Sequence, residues 1–329
     1  MDFCAVVKDE LKEIEDQIEM YLANKDARVY GPLLPFIKRG GKRIRPIIAV
    51  VFFRAFGGKN FSDVKKIAAL IELFHNFTLI HDDIEDDSKY RRGEPTLHVQ
   101  YGIPIALNSA DALYTLVWRE LISVNMDRKK LYCTVEACAK AFTEVTEGQG
   151  LELYWEKNGI YDITEEDYLS MIDKKTAALL GLSAWVGAYL GGASRKERIE
   201  AEKFGRTVGI AFQIQDDVLN VSGDFKKYQK KIGDDITEGK RTLMVIKALQ
   251  DGEPADKERL KTLLASHTTD PAQITEAIDI LKKYGAIEYA KERANVLVED
   301  ALDHISHMKD SNYKKALCEI ANFAITRER

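Results

Sequence analysis

The chain has 329 residues, 45% of them apolar, which is enough to bury the core of one large domain or of two smaller ones. Its 48 basic and 53 acidic residues are spread along the whole length and give a formal net charge of -5, which argues against nucleic acid or an anionic membrane surface as a partner. The four cysteines have neither CxxC spacing nor paired histidines nearby, so neither a zinc site nor a disulfide framework is predicted.

The N-terminal segment is amphipathic and lacks the long apolar core of a signal peptide, which predicts a cytoplasmic protein. The most apolar segments, 44–56 and 177–190, are shorter than the roughly 18 residues that a membrane span requires. We therefore expect buried helices here and no transmembrane span.

Apolar residues at three- and four-residue spacing recur along the chain, and alternating runs of β-branched residues are almost absent. This pattern predicts an all-α fold of about ten or more helices. Ser62, Thr164, Ser194 and Asp270 are predicted to precede helix starts. No linker or low-complexity segment divides the chain, so 1–329 is predicted to be a single domain.

An apolar stretch at 74–80 leads into the first of two aspartate clusters, Asp82-Asp83-Ile84-Glu85-Asp86-Asp87. The helical period puts Asp82 and Asp86 one turn apart on the same face, with Asp83 beside them. Their mutual repulsion and the negative end of the helix dipole favour a bound cation. Mg²⁺ suits carboxylate oxygens and is commonly shared with substrate phosphates, although an isolated DDxxD is equally compatible with a solvated acidic face.

The second cluster loosely repeats the first at 212–224, where Asp216 and Asp217 follow an apolar helix that we expect to end there. Two such helices facing each other would hold a diphosphate between metal ions and leave its organic tail in the apolar interior. Asn220 takes the place of a third aspartate, and because an amide oxygen is a weaker ligand, we do not expect it to be a firm one.

Basic residues accompany both clusters, in the segments GGKRIR at 40–45, RRG at 91–93, KKT at 174–176 and KIGDD at 231–235. Each segment alone is typical of a solvated loop. Together with the acidic clusters they predict two diphosphate sites, one reached through metal and one held directly by Arg and Lys.

The segments GGKRIRP, ELFHNFTLIHDDIEDD, RRGEPTLH, DKKTA, FQIQDD and GDDITEGKRTL, in this order and spacing, resemble the trans-isoprenyl diphosphate synthase family from about Pro35 to the C-terminus. The closest resemblance is to archaeal-type short-chain members. It implies the isoprenoid synthase fold, a single helical bundle around a deep apolar cavity. It also implies a reaction in which an allylic C–O bond ionises, isopentenyl diphosphate attacks the cation, and a proton leaves to the departing diphosphate, with no protein nucleophile.

The resemblance also implies a role for each matching residue. The Mg²⁺ ligands would be Asp82, Asp86 and Asp216, supported by Asp83 and Asp217. The allylic diphosphate would be held by Arg91, Lys175 and Lys231, and the metal-free isopentenyl diphosphate by Lys42, Arg45, His75 and Arg92. Lys240 would neutralise the metal-bound diphosphate, and Thr176 and Gln213 would stabilise developing positive charge. About three Mg²⁺ ions, with Mn²⁺ as a substitute, and a homodimer are expected. The apolar helix 105–124 is a candidate interface, although a monomer's core helix would look the same.

Phe74, Phe77 and Thr78 are the candidate floor for the growing chain, because Phe77 precedes Asp82 by five residues, or roughly 7.5 Å of helix rise. By the resemblance, an aromatic residue here and an uninterrupted aspartate motif predict mainly a geranylgeranyl (C20) product. Farnesyl (C15) and geranylfarnesyl (C25) products are the alternatives, and Phe77 is also compatible with a purely structural core position.

Three other functions are compatible with parts of the sequence. A class I terpene cyclase shares the helical fold and a DDxxD motif but does not need the second diphosphate site. A non-catalytic synthase subunit would be expected to lose the first aspartate motif, which is intact here. A helical scaffold protein would bind no diphosphate in the presence of Mg²⁺.

Overall fold

The computed structural model describes residues 3–222 and 233–326, and these residues are mostly helical. The α-helices are α1 Lys8–Leu22, α2 Ala27–Tyr30, α3 Leu33–Lys38, α4 Ile44–Ala55, α5 Phe61–Glu85, α6 Leu97–Tyr101, α7 Ile103–Ile122, α8 Arg128–Lys157, α9 Glu165–Ile172, α10 Ala178–Gly191, α11 Arg195–Ser222, α12 Asp234–Glu238, α13 Leu243–Asp251, α14 Pro254–Ala265, α15 Pro271–Lys283, α16 Ala286–His304 and α17 Asn312–Thr326. A 3₁₀ turn covers Ala5–Val7, a π-helical turn covers Asp173–Ala177, and the strands β1 Tyr90–Arg91 and β2 Glu94–Pro95 form a small hairpin. The predicted all-α fold is confirmed.

Side-chain caps explain where several helices begin. Thr164 and Asp167 form a reciprocal capping box, in which Thr164 Oγ1 accepts from the Asp167 N–H at 3.1 Å and Asp167 Oδ2 accepts from the Thr164 N–H at 3.0 Å. Asp270 Oδ1 accepts from the Ala272 N–H at 3.0 Å, as predicted for the Asp-Pro start. The predicted start at Ser62 is wrong by two residues, because Asn60 caps α5 and its Oδ1 accepts from the Ser62 N–H at 3.3 Å.

The described residues group into two compact units. Unit 1 takes its residues from 1–140, 179–205 and 307–319, and unit 2 from 141–178, 206–306 and 320–329. The single domain over 1–329 stays a prediction.

In unit 1, α5 packs against α1, α4 and α7 and is apolar along most of its length. Glycines let α10 approach α4 closely, since a Cβ on Gly187 would lie 2.2 Å from the carbonyl oxygen of Ala49. This packing fixes α5, whose last turn carries the first aspartate cluster.

In unit 2, a buried apolar cluster joins α9, the C-terminal part of α11 and α13 to α16, and includes Tyr168, Ile214, Val218, Leu243 and Leu281. Ile214 and Val218 lie on either side of the second aspartate cluster in sequence, so this core fixes the turn that carries it. No helix in the described part of the chain is long and apolar enough to cross a membrane. The cytoplasmic location stays a prediction.

Candidate functional site

A hairpin with a two-residue turn carries the two arginines that follow the first aspartate cluster. Strands β1 and β2 pair antiparallel, with Arg91 opposite Glu94. The two turn residues, Arg92 and Gly93, both have positive φ, at 55° and 78°, as the favoured hairpin turns require. The hairpin folds back on the end of α5 and brings Arg91 to the aspartates.

Arg91 bridges the first two aspartates of the cluster. Its Nε donates to Asp83 Oδ1 at 2.6 Å and its Nη2 donates to Asp82 Oδ2 at 3.0 Å. Burial raises the pKa of Asp83 to about 6, although the Arg91 charge beside it opposes the rise. Asp83 Oδ2 is buried without a hydrogen-bond partner. The cluster is thus a group of carboxylates that a guanidinium partly neutralises.

The early glycine loop and the hairpin are joined by a direct contact. Gly40 and Gly41 have φ values of 96° and 128°, and the Arg92 side chain donates to the Gly40 carbonyl. A Cβ on Gly41 would lie 2.8 Å from Arg92 Nη2, so a side chain there would displace the guanidinium from its present position on the loop. Lys42 follows on the exposed side of the loop.

A buried ion pair holds the end of this loop. Arg43, in the left-handed region at φ 49°, donates to Glu72 Oε1 at 2.9 Å and to the Ile37 carbonyl at 2.8 Å. The Glu72 side chain is only 3% exposed. Sequence reasoning assigned no role to either residue, and the available signal was an acid inside the otherwise apolar run of α5.

Arg45 and Arg92 are two positive charges that act on His75 in unit 1. Burial lowers the pKa of Arg45 to about 10, which the Glu72 charge opposes and the Arg92 charge reinforces. Burial, followed by the charges of Arg45 and Arg92, holds the pKa of His75 well below its usual value, so this imidazole is neutral at pH 7. Arg45 Nε is buried without a hydrogen-bond partner. An anion would relieve this concentration of positive charge, and the guanidinium groups suit a diphosphate.

The second aspartate pair lies within α11 and not at its end, since the helix continues to at least Ser222. The predicted helix end is therefore wrong. Asp217 is buried, and its oxygens accept from Tyr168 Oη at 2.7 Å and from Gln213 Nε2 at 2.8 Å. Burial raises the pKa of Asp217 to about 6, while these two hydrogen bonds oppose the rise. Tyr168 was not singled out in the sequence because it lies 49 residues from its partner.

Asn220 has a structural task. Its Oδ1 accepts from the Asp235 N–H at 3.1 Å, and its carbonyl accepts from the Gly233 N–H at 2.9 Å. The amide oxygen thus binds the first turn of α12, which gives a physical reason not to expect a firm metal ligand here.

The π-helical turn Asp173–Ala177 carries two of the predicted site residues of unit 2. Thr176 Oγ1 donates to Gln213 Oε1 at 3.0 Å, which continues the hydrogen-bond chain from Asp217 through Gln213. Lys175 forms an ion pair with Glu152, which the sequence had not indicated. π-Helical turns are rare and are often found at functional sites.

Lys240 and Lys231 are the remaining lysines among the predicted site residues. Lys240 pairs with Glu238, and its Nζ lies 3.9 Å from Asp235 Oδ1. Lys231 lies outside the described residues. The structure therefore links Thr176, Gln213 and Asp217 by hydrogen bonds, and Lys175 precedes Thr176 on the π-helical turn. The predicted roles of all site residues stay predictions.

The candidate chain-length residues belong to an aromatic cluster in unit 1. The ring centroid of Phe77 lies 5.4 Å from that of Phe74, 5.0 Å from Tyr114 and 4.6 Å from His81. Thr78 Oγ1 donates to the His75 carbonyl at 2.8 Å. Tyr114, on α7, was missed because nothing in the sequence pairs it with α5.

Both aspartate clusters offer the oxygen donors that Mg²⁺ prefers. Within 3–222 and 233–326, no three acidic, histidine or cysteine side chains stand together as a complete metal site. Mg²⁺ usually takes one or two carboxylates together with substrate phosphates and water, so it does not need such a cage. The buried Asp83 Oδ2 without a partner and the all-carboxylate donor set fit this ion.

A family model and a relative both match most of the chain. The family model described as polyprenyl synthetase matches residues 26–281. The short chain isoprenyl diphosphate synthase of Methanothermobacter thermautotrophicus is 42% identical and covers 89% of this chain and 88% of its own.

Two crystal structures are also similar. The geranylgeranyl pyrophosphate synthetase from Pyrococcus horikoshii has a TM-score of 0.91, 35% identity and coverage of 99% of this chain and 98% of its own. The polyprenyl synthase from Caulobacter crescentus, complexed with calcium and isoprenyl diphosphate, has a TM-score of 0.92, 26% identity and coverage of 99% and 97%.

Proposed function

The chain belongs to the polyprenyl synthetase family, and from this premise we propose that it condenses isopentenyl diphosphate with an allylic diphosphate and releases mainly geranylgeranyl diphosphate. Its fold and its prenyltransferase class follow from the family. Dimethylallyl, geranyl and farnesyl diphosphates are the proposed allylic substrates.

One observation carries the proposal: unit 1 holds two charge groups of opposite character. In one, the carboxylates of Asp82 and Asp83 pair with the guanidinium of Arg91. In the other, Arg45 and Arg92 lie near a neutral His75, with Glu72 as the opposing charge. The first group suits a diphosphate bound through metal, and the second suits one bound directly. A terpene cyclase has no use for the second group.

Proteins of this family use a divalent metal with their diphosphate substrates, and we propose Mg²⁺ at Asp82, Asp86 and Asp216, about three ions in all, with Mn²⁺ as a substitute. When bound, the ion supplies positive charge that stabilises the leaving diphosphate. Asp83 and Asp217, both buried, support the neighbouring aspartates.

The chain's own side chains have three tasks in the proposed reaction. Arg91, Lys175 and Lys231 hold the allylic diphosphate, and Lys240 adds positive charge beside the leaving group. Lys42, Arg45, His75 and Arg92 hold isopentenyl diphosphate. Thr176 and Gln213, hydrogen-bonded to each other, supply oxygen dipoles that stabilise the allylic cation.

The aromatic cluster at Phe77 supports the C20 assignment. The ring contacts Phe74 on its own helix and Tyr114 on α7, so the floor is made of two layers of aromatic side chains and not of one isolated ring. Farnesyl and geranylfarnesyl diphosphate are the alternative products. Farnesyl diphosphate would require a floor one five-carbon unit closer to Asp82, and geranylfarnesyl diphosphate a floor one five-carbon unit farther from it.

We extend the proposal to a homodimer, because α7 presents an exposed apolar face. Ile103, Leu107, Tyr114 and Ile122 are exposed by 53%, 39%, 38% and 61%, and their spacing puts them on one side of the helix. The proposed interface can be tested by light scattering on Leu107→Glu and Ile122→Glu, which should give monomers from a dimeric wild type. A monomeric wild type would contradict the dimer.

The function is tested by incubating the protein with labelled isopentenyl diphosphate, each allylic diphosphate in turn, and Mg²⁺ or a chelator. We expect label in a C20 product, with none formed when the metal is chelated. A main product of C15, or of C30 and longer, contradicts the chain length. Hydrocarbon formed without consumption of isopentenyl diphosphate indicates a cyclase, and no incorporation from any starter contradicts a synthase.

A further inference from the structure

The π-helical turn 173–177 lies between two glycines of unit 2, Gly148 on α8 and Gly209 on α11. A Cβ on Gly148 would lie 2.3 Å from the Lys175 nitrogen and 2.8 Å from its Cα. A Cβ on Gly209 would lie 2.7 Å from the Cα of Ala177. Both distances are far inside van der Waals contact, so the turn packs on bare backbone from both sides. Since the atoms beside Gly148 are backbone atoms, a side chain there cannot be accommodated by a rotamer change.

Acidic side chains of α8 hold the same turn from the Gly148 side. Glu147 Oε2 lies 2.9 Å from Lys174 Nζ, and Glu144 pairs with Arg206, which also donates to Asp173 at 2.7 Å. These contacts fix the backbone of the turn against α8 at its first two residues.

One helical turn after Gly148, Glu152 pairs with Lys175 itself. Both side chains are mostly buried, at 14% and 19% exposure, so solvent screens this pair less than an exposed one. The backbone of Lys175 and its ammonium group are therefore both located by α8.

We propose that Gly148 and Glu152 are positioning residues for Lys175, Gly148 by letting the π-helical turn lie on α8 and Glu152 by directing the ammonium group. The inference rests on the proposed function, in which Lys175 holds the allylic diphosphate. Neither residue touches a reacting atom. Displacing the turn by the amount that a methyl group requires misplaces Lys175, and a misplacement of about 1 Å can cost roughly 100-fold in rate.

The chain contains a matched control two residues away. Gly150 lies on the same helix, is exposed, and would bring a Cβ within 4 Å of nothing. Gly148→Ala and Gly150→Ala therefore make the same chemical change in α8. Only the methyl group of Gly148→Ala would collide with the π-helical turn.

The test measures steady-state kinetics with each substrate varied in turn, together with the thermal unfolding midpoint, for wild type, Gly148→Ala, Gly150→Ala and Glu152→Gln. We expect Gly148→Ala to lose roughly 100-fold in kcat/KM for the allylic substrate while KM for isopentenyl diphosphate changes by less than about twofold. Gly150→Ala should match wild type. Glu152→Gln, which adds no volume, should lose about tenfold in the same allylic kcat/KM.

An unfolded fraction would lower the apparent kcat and the unfolding midpoint but leave both KM values unchanged. A raised KM for the allylic substrate, with an unchanged KM for isopentenyl diphosphate, therefore separates positioning from damage. Equal allylic kcat/KM in Gly148→Ala and Gly150→Ala overturns the role of Gly148. If Gly148→Ala does not fold, Glu152→Gln decides, and an unchanged or improved allylic kcat/KM in that variant overturns the proposal. A wild type that forms no prenyl product overturns instead the proposed function.

Discussion

Replacing Phe77 by alanine tests the chain-length assignment most directly. Phe77 lies roughly 7.5 Å of helix rise from Asp82, and the next ring along α5, that of Phe74, lies three residues or roughly 4.5 Å deeper. Removing the Phe77 ring should therefore add space for about one further five-carbon unit before the chain meets Phe74 and Tyr114. We expect the main product to change from C20 to C25.

The double variant Phe77→Ala/Tyr114→Ala should give still longer products, since Tyr114 lies 5.0 Å from Phe77 and 6.1 Å from Phe74 between ring centroids. Tyr114→Ala alone should change the products less, because Phe77 still closes the path. Products are resolved by chromatography after dephosphorylation, with farnesyl diphosphate and labelled isopentenyl diphosphate as substrates.

Phe61→Ala is the matched control, because Phe61 is also partly buried and begins the same helix. Both single variants should lose less stability than the roughly 3–5 kcal/mol typical of a fully buried phenylalanine. A C20 product from Phe77→Ala, or an equal shift in Phe61→Ala, would refute the floor assignment.

Three other outcomes are expected. Asp82→Asn should raise the Mg²⁺ concentration for half-maximal rate by about 10-fold to 100-fold, and an unchanged metal titration would exclude it as a ligand. Asn220→Ala should lower the free energy of unfolding by about 1–2 kcal/mol, because the Asp235 N–H loses its acceptor. The kcat of this variant should stay within about twofold of wild type. A large fall in kcat at unchanged stability would instead assign Asn220 to the metal. Burial lowers the pKa of His98, so the native state binds fewer protons than the unfolded state below about pH 6.5 and stability falls as the pH falls. His98→Gln should therefore show a shallower dependence of the unfolding midpoint on pH between about pH 5 and 7, and an unaltered slope would contradict this contribution.

Local patterns predicted the helices and the first cluster well, because both depend on residues close in sequence. The capping box at Thr164 is complete within four residues. Arg91 is only nine residues from Asp82 and eight from Asp83. The sequence predicted a cation at that cluster, but it did not predict that Arg91 pairs with Asp82 and Asp83.

Contacts between distant segments could not be predicted in the same way. Glu72 pairs with Arg43 across 29 residues, and Tyr168 donates to Asp217 across 49. A single acidic residue in an apolar run is equally compatible with an exposed side chain and with a buried side chain that has a basic partner. Only the packing of the helices decides between the two. The π-helical turn was also missed, since DKKTA contains neither glycine nor proline and the glycine that accommodates it, Gly148, lies on another helix.

The two aspartate pairs share an arrangement that the sequence repeat only suggested. In each pair the second aspartate is buried, and burial raises its pKa to about 6. Arg91 donates to one oxygen of Asp83, and Tyr168 and Gln213 donate to the two oxygens of Asp217. The partners nevertheless differ in charge. Asp83 is stabilised by a cation that the proposed mechanism also assigns to substrate, whereas Asp217 is stabilised by two neutral donors. In the proposed mechanism Arg91 would have to be shared between the first pair and the diphosphate, whereas the hydrogen bonds from Tyr168 and Gln213 to Asp217 would stay in place. We therefore expect the contacts of Arg91 with Asp82 and Asp83 to change when the proposed allylic diphosphate binds.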